Sequence, residues 1–245
     1  MDRQAFDEMI ATQGTHWWFR GKRKTIEKVV SSLDFPEEGD ILEIGCGAGG
    51  NIGMLSRYGT VWAIEIDDYA LGFAAKTNSG AVVKKGWLPD GLSPVLGRTF
   101  CMVCLFDVLE HIEDDEESLC LVRELLDDKS KVLITVPAYQ WLFSQHDKNL
   151  GHFRRYSRKI LNQKLVRNGY AVLYSGYMNM FSFPFMAASR LFDRYARKQG
   201  TSSGTKTPPW PVNAALLFAF SLESLWIPRF SSPFGGSVIA VAEKR

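Results

Sequence analysis

The stretch Asp40-Ile-Leu-Glu-Ile-Gly-Cys-Gly-Ala-Gly-Gly50 decides the fold of this chain. It opens with alternating apolar residues that suit a buried strand and closes on glycines that let the backbone turn sharply and approach a ligand. The helical spacing of Ile52, Leu55 and Ser56 follows, so the glycines fall between a strand and a helix whose first amides are open to a ligand. Gly45, Gly47 and Gly50 fit the G-x-G-x-x-G spacing of a nucleotide-binding turn. Glu65 stands 20 residues beyond Gly45, at the end of the next apolar run, where an acid can grip a ribose diol.

The pattern continues outward from this turn. Thr60–Asp67 (TVWAIEID) reads as a second strand and YALGFAAK as the helix after it. AVVKKG, TFCMVCLF and SKVLITVP supply three more strands, with DDEESLCLVRELLDD as a periodic helix before the last. Leu119, Val122, Leu125 and Leu126 are expected on one face of that helix, with acids crowding its first turn. Such alternation calls for parallel strands joined by right-handed helical crossovers, an α/β fold with a doubly wound sheet. Further on, Ser157 is expected to cap a helix through Ile160, Leu161 and Leu165 that stops at Gly169, and YAVLYSGY and GSVIAVAEK read as the closing strands.

Three segments lie outside the alternation. Residues 1–35 read as one or two helices interrupted by GTHWWFRGKRK. Residues 137–156 form a connection without clear periodicity, and its aromatics (Tyr139, Trp141, Phe143, Phe153, Tyr156) argue for order. Residues 178–234 carry two apolar helical segments around a polar stretch, 199–211. The expected organisation is one domain over 1–245: a helical lid (1–35), a core (36–177), an apolar helical insert (178–234) and a last strand (235–245).

With 29 Lys and Arg against 27 Asp and Glu, the net charge of +2 gives no general attraction for nucleic acid, and none is expected as a partner. The four cysteines are too scattered for a disulfide framework, and Cys101 and Cys104 lie inside a strand-like run. The N-terminal MDRQAFDEMI has acids where an export signal needs bases, so a cytoplasmic protein is expected. The longest uncharged apolar runs of the insert fall short of the roughly 20 residues that span a bilayer. They can still contact a membrane peripherally.

The glycine turn alone does not separate a dinucleotide from S-adenosylmethionine. Glu43, two residues before the first glycine, favours the second, because it can hold the loop and reach the ligand's ammonium group. Here the chain resembles the class I, seven-strand, Rossmann-like S-adenosylmethionine-dependent methyltransferases of the small bacterial kind. The resemblance rests on LEIGCGAGGN, AIEID, LFDVLEHIEDDEE and ITVPAYQWLFSQHD in order, with HWWFRGKR before them and PFGGSVIAVAEK after. It implies a mostly parallel sheet of order 3-2-1-4-5-7-6 with strand seven antiparallel.

Carried over, the resemblance makes Gly45, Cys46, Gly47 and Gly49 the cradle of the methionine part, with Glu43 and Asn51 beside it. Glu65 takes the ribose hydroxyls and Ile66 lies against the adenine. Trp87, followed by Leu88, stands where the family often has an Asp near the adenine amine. Phe106 and Asp107 face the cofactor from the other side, and Trp18 and Arg20 are candidate contacts of the N-terminal lid. His111 is expected to fix a turn.

On the acceptor side, SQHDKNLGHFRRYSRK sets His146, His152, Arg154 and Arg155 near one acid, Asp147, with Tyr139 ahead of them. Guanidinium groups suit carboxylate or phosphate, and a histidine beside an aspartate suits proton removal, His146 being placed first. Metal binding by His146, Asp147 and His152 lacks a fixed spacing, and no metal is expected. The leading reading is methyl transfer from S-adenosylmethionine, leaving S-adenosylhomocysteine, to a small-molecule or lipid- or glycan-type acceptor with an anionic group. The alternatives are a nicotinamide-dependent oxidoreductase, or a membrane-surface or partner-binding module that keeps a vestigial cofactor site. The apolar insert, with Phe181, Phe183, Phe185, Phe218, Phe220 and Trp226 expected to be exposed, motivates the last.

Overall fold

The central strand β1 (Asp40–Ile44) pairs in parallel with β2 (Thr60–Glu65) on one side and β4 (Phe100–Phe106) on the other, as its continuous burial requires. β3 (Val82–Lys85) extends the sheet beyond β2, and β5 (Leu126–Pro137), β6 (Tyr170–Met178) and β7 (Ser237–Lys244) complete it. The order is β3-β2-β1-β4-β5-β7-β6, seven strands in a mixed sheet, as the resemblance implied. The computed structural model describes residues 7, 10–34, 36, 39–188 and 207–245. Those residues fall into two compact units: the described residues within 1–32, 137–157 and 176–238 in the first, and those within 33–136, 158–175 and 239–245 in the second. The first thus gathers the N-terminal segment, the aromatic connection and the insert.

In the first unit, residues 10–12 are helical, the helix breaks at 13–16, and α1 (Trp17–Val30) begins inside the HWWF stretch, so the interruption is shorter than GTHWWFRGKRK. His16 caps it, its Nδ1 accepting from the Trp18 amide at 3.1 Å, and burial lowers the imidazole's pKa, in keeping with that acceptor role. In the second unit, α2 is a single turn (Ile52–Leu55), shorter than the helix the spacing predicted. α3 (Asp68–Thr77) is capped by Asp67, which accepts from the amides of Tyr69 and Ala70. α4 (Asp115–Glu124) is capped by Asp114 and has three acids in its first turn, favourable against the helix dipole. Lys164 of α6 (Arg158–Arg167) bridges Asp115 at 2.8 Å and Glu116 at 3.0 Å, tying α6 to α4.

Leu126 departs from expectation. It is the first residue of β5, fully buried opposite Phe100, because α4 ends at Glu124 and a register shift lets the strand start early. The 137–156 connection is also more regular than its pattern suggests: residues 140–142 make a 3-10 turn and α5 (Gln145–Asn149) follows. In the insert, residues 183–188 are helical and α7 runs Trp210–Leu222. The rest of the first apolar segment lies outside the described residues. No helix among the described residues is long and apolar enough to cross a membrane.

α7 packs on α1. Phe220 lies against Gly21, where an added Cβ would come within 2.9 Å of the Phe220 Cβ, and Trp17 meets the same ring edge-on at 6.2 Å. Asn213 accepts from the Trp17 amide at 2.9 Å and donates to the Thr15 carbonyl at 3.0 Å. Phe220, expected at the surface, is therefore 2% exposed, whereas Phe185 and Phe218 are 76% and 67% exposed. Glu223, fully buried just past α7, accepts from the amides of Asn179, Met180 and Phe181 where β6 gives way to the insert.

Candidate functional site

The second unit gathers the glycine loop and the carboxylates around it at the C-terminal ends of β1, β2 and β4. Gly45, Gly47 and Gly49 have φ of +68°, +55° and +77°. At Gly45 no side chain would fit either, since an added Cβ would lie 2.8 Å from Val108. The amides of Gly45 and Cys46 both donate to the Ile64 carbonyl, so the turn is pinned to the end of β2. Glu43, buried within β1, accepts from the Asn51 amide group at 2.9 Å, a contact that holds the far side of the loop.

Glu65 is the keystone. One carboxylate oxygen accepts from the Gly47 amide at 2.8 Å and the other from the Asp67 amide at 2.9 Å. A carboxylate offers about four lone-pair sites, so each oxygen keeps capacity for a further donor such as a ribose hydroxyl. Ile66 beside it is 56% exposed, an apolar side chain left in the open next to a fixed acid. The Cys46 thiol is pushed well up by burial and by the charges of Glu43 and Glu65, so it stays protonated and serves as loop packing.

Trp87 and Leu88 stand just past β3. The Trp87 indole packs over Gly91, with main-chain hydrogen bonds in both directions between the two residues, and Leu88 is buried. Phe106, 8% exposed, ends β4, and Asp107 follows with φ +57°, its amide donating to the Thr135 carbonyl and its carboxylate accepting from the Thr135 hydroxyl at 3.3 Å. These residues fit S-adenosylmethionine by chemistry: an anchored acid for a diol, an exposed aliphatic side chain for a base, and a loop without side chains for the amino-acid part.

In the first unit, Asp147 organises the connection after β5. It is fully buried and accepts from Arg155 Nε at 2.7 Å, His152 Nδ1 at 3.1 Å, and the Ser144 amide and hydroxyl at 2.9 and 3.2 Å. Burial works to raise its pKa, but the bonds from His152 and Arg155, the guanidinium charge and the Ser144 amide hold the carboxyl well below the usual carboxylate range. Arg155 also donates to the Ala138 carbonyl at 3.2 Å and is 8% exposed, so its guanidinium is engaged by the loop itself. Arg154 is half-buried, 6.0 Å from the Phe153 ring centre. The histidine paired with Asp147 is His152; His146 lies half-buried on α5. Tyr139, with φ +62°, stacks on Tyr177 at 5.1 Å and touches Phe183. Trp18 and Arg20 stand on α1, Trp18 beneath the Lys22 ammonium at 4.9 Å and Arg20 exposed.

Sequence reasoning missed Asn213 and Glu223 as structural clamps. The available signal was the lone polar residue, Asn213, of the apolar run VNAALLFAF and the lone charged residue, Glu223, of SLESLWI.

Fold and loop together define a Rossmann-like methyltransferase that uses S-adenosylmethionine. A family model described as a methyltransferase domain matches residues 15–184, and the chain belongs to that family. No curated protein matches it in sequence. Among solved structures, the chain is similar to the magnesium protoporphyrin IX methyltransferase of Synechocystis PCC 6803 with bound S-adenosylhomocysteine, at 15% identity, 99% of this chain and 95% of that chain covered, and a TM-score of 0.60. A TehB-like methyltransferase of Corynebacterium glutamicum shares 15% identity over 90% of this chain and 88% of its own, with a TM-score of 0.55. An S-adenosylmethionine-dependent methyltransferase of Clostridium acetobutylicum shares 12% over 91% of each chain, also at 0.55. Identities this low establish the fold.

Proposed function

We propose that this enzyme methylates a small-molecule or lipid- or glycan-type acceptor bearing an anionic group, and that it works in the cytoplasm with peripheral contact to a membrane through 178–234. The bound sulfonium supplies an already activated methyl group. The chain's own task is to hold, align and exclude water. Glu65 grips the ribose hydroxyls, Ile66 covers the adenine with Trp87 and Leu88 bordering it, and Gly45, Cys46, Gly47 and Gly49 cradle the amino-acid part with Glu43 and Asn51. Phe106 and Asp107 bound the opposite side.

The residues that follow β5 receive the acceptor, because doubly wound folds take ligands at the C-terminal ends of their strands. Arg154 is assigned the acceptor's anionic group. Arg155, held by Asp147, keeps the loop in shape. For an acceptor that carries a proton at neutral pH, His152 is the better placed base, because its contact with Asp147 orients the ring. His146 keeps the second place, and Tyr139 walls the aromatic side.

The observation that carries the reading is Glu65, a carboxylate anchored by two main-chain amides beside the exposed Ile66. Calorimetry with S-adenosylhomocysteine tests it. Glu65→Ala should cost about 1.5–3 kcal/mol, roughly ten- to a hundred-fold in affinity. Arg154→Ala should leave that affinity unchanged while lowering transfer of labelled methyl into a lipid and small-molecule extract. An unchanged dissociation constant in folded Glu65→Ala removes Glu65 from the ribose site.

A further inference from the structure

The near-neutral net charge conceals a segregation. The first unit carries 15 Lys and Arg against 7 Asp and Glu, net +8; the second carries 14 against 20, net −6. Two of the first unit's acids, Asp147 and Glu223, are fully buried, while Arg20, Lys24, Lys28, Lys148 and Arg229 are exposed. Charge divided this way between parts of one chain points to a polyanionic surface as partner.

α7 belongs to the same unit, and its polarity is inverted. Between Trp210 and Leu222 it has no charged residue. At 100° per residue, its polar Asn213 shares a face with the buried Phe220, the face that meets α1. The opposite face presents Pro211, Ala215 and Phe218 to solvent, flanked by Trp210 at 80% exposure and Leu225 at 74%. An ordinary surface helix puts its charges there. With 13 residues the helix is about 20 Å long, short of the roughly 30 Å hydrocarbon core, so it can lie in a membrane interface but not cross it.

We propose that the first unit docks on a bilayer containing anionic lipids, the outward face of α7 entering at headgroup depth and the exposed lysines and arginines holding the lipid charges. This deepens the peripheral-membrane part of the functional reading and does not depend on which acceptor is methylated. Duplex nucleic acid would satisfy the charge but has no use for an exposed Trp and Phe. A second copy would satisfy the apolar face but would bring a net +8 against a net +8. A bilayer with anionic headgroups satisfies both.

Co-sedimentation of the full chain with phosphatidylcholine vesicles, with and without phosphatidylglycerol, tests the proposal. Binding should require phosphatidylglycerol and weaken about tenfold or more as salt is raised. Lys24→Glu with Lys28→Glu should lower partitioning at least tenfold, since each basic residue near such a surface is worth about 1 kcal/mol. Trp210→Ser with Phe218→Ser should abolish retention at moderate salt and leave S-adenosylhomocysteine affinity unchanged. That calorimetric control keeps a failure of docking distinct from a failure of the cofactor site. Equal binding to pure phosphatidylcholine, no binding at all, or retention unaffected by the Trp210/Phe218 variant would overturn the proposal. So would duplex DNA binding of equal strength that ignores the same variant, or lipid-free self-association that the variant abolishes.

Discussion

At the scale of single residues, Asp147 shows how one side chain can be read correctly in kind and differently in role. The pattern QHDKNLGHFRR placed one acid among five bases and invited a histidine–aspartate pair. The pair exists, but with His152, and Arg155 is drawn into it as a structural partner. Sequence spacing could not separate His146 from His152, because the choice depends on a one-turn helix that brings His152 back onto Asp147. Glu65 was more legible: the distance from a glycine turn to the next strand's end is nearly fixed in a βαβ unit, so its position followed from spacing alone. Asp147→Asn should destabilise the protein by about 3–5 kcal/mol, because it leaves the Arg155 guanidinium buried against a neutral group. The pH dependence has a definite sign. The folded carboxyl lies below its unfolded value, so the stabilisation is complete above about pH 4, where the unfolded carboxyl is ionised. It is lost as pH falls toward the folded value. Chemical denaturation at pH 7 and in the acid range should show this loss in the wild type and not in Asp147→Asn; equal acid sensitivity would place it elsewhere.

At the scale of elements, the sheet was legible because its central strands are continuous apolar runs and the crossovers show in their caps and period. The exceptions have local causes. Leu126 has the right spacing for α4, yet it pairs with β4 because the chain leaves the helix after Glu124. Phe220 looked exposed in a helix apolar on every side, and no periodicity says which side of such a helix meets a neighbour. Gly21 settles it by giving α7 room to approach α1. Gly21→Ala measures that closeness. In an open helix the change is favourable by about 1 kcal/mol. Here the new methyl would meet Phe220 at its Cγ and Cβ, within 2.6 and 2.9 Å, where the ring's root cannot swing away. Overpacking costs about 1–3 kcal/mol, so the net effect should be destabilising, read as a lowered midpoint of thermal unfolding. Phe220→Ala alone should cost about 3–5 kcal/mol. In the double variant the methyl enters the vacated space, and the combined loss should fall short of the two single losses added. Strict additivity would mean that the two helices do not bear on each other at this point.

At the scale of the whole molecule, every residue assigned to the cofactor apart from Trp18 and Arg20 belongs to the second unit, and every residue assigned to the acceptor belongs to the first. The sequence showed the segments but not their grouping, because a unit assembled from 1–32, 137–157 and 176–238 depends on long-range packing such as Asn213 on Trp17 and Glu223 on Asn179. A ligand that binds only the native state slows amide exchange wherever exchange requires opening of the structure that holds it. At a hundred times its dissociation constant the slowing is about a hundredfold, equivalent to about 2.7 kcal/mol. Hydrogen exchange with and without S-adenosylhomocysteine should therefore slow β1, β2 and β4 of the second unit by about that factor. The largest local effect should fall at Gly45–Gly49 and Glu65–Asp67, where the amides themselves hold the site. Residues 139–156 should change much less, because none of them is assigned to the cofactor and Asp147 ties Ser144, His152 and Arg155 together within this stretch. Trp18 and Arg20 stand in α1, and slowed exchange at their amides is the expected mark of a role over the cofactor; unchanged exchange there removes both from its site. Slowing confined to 139–156, with β1 and β2 unaffected, would move the cofactor away from the glycine loop and undo the division of labour between the two units.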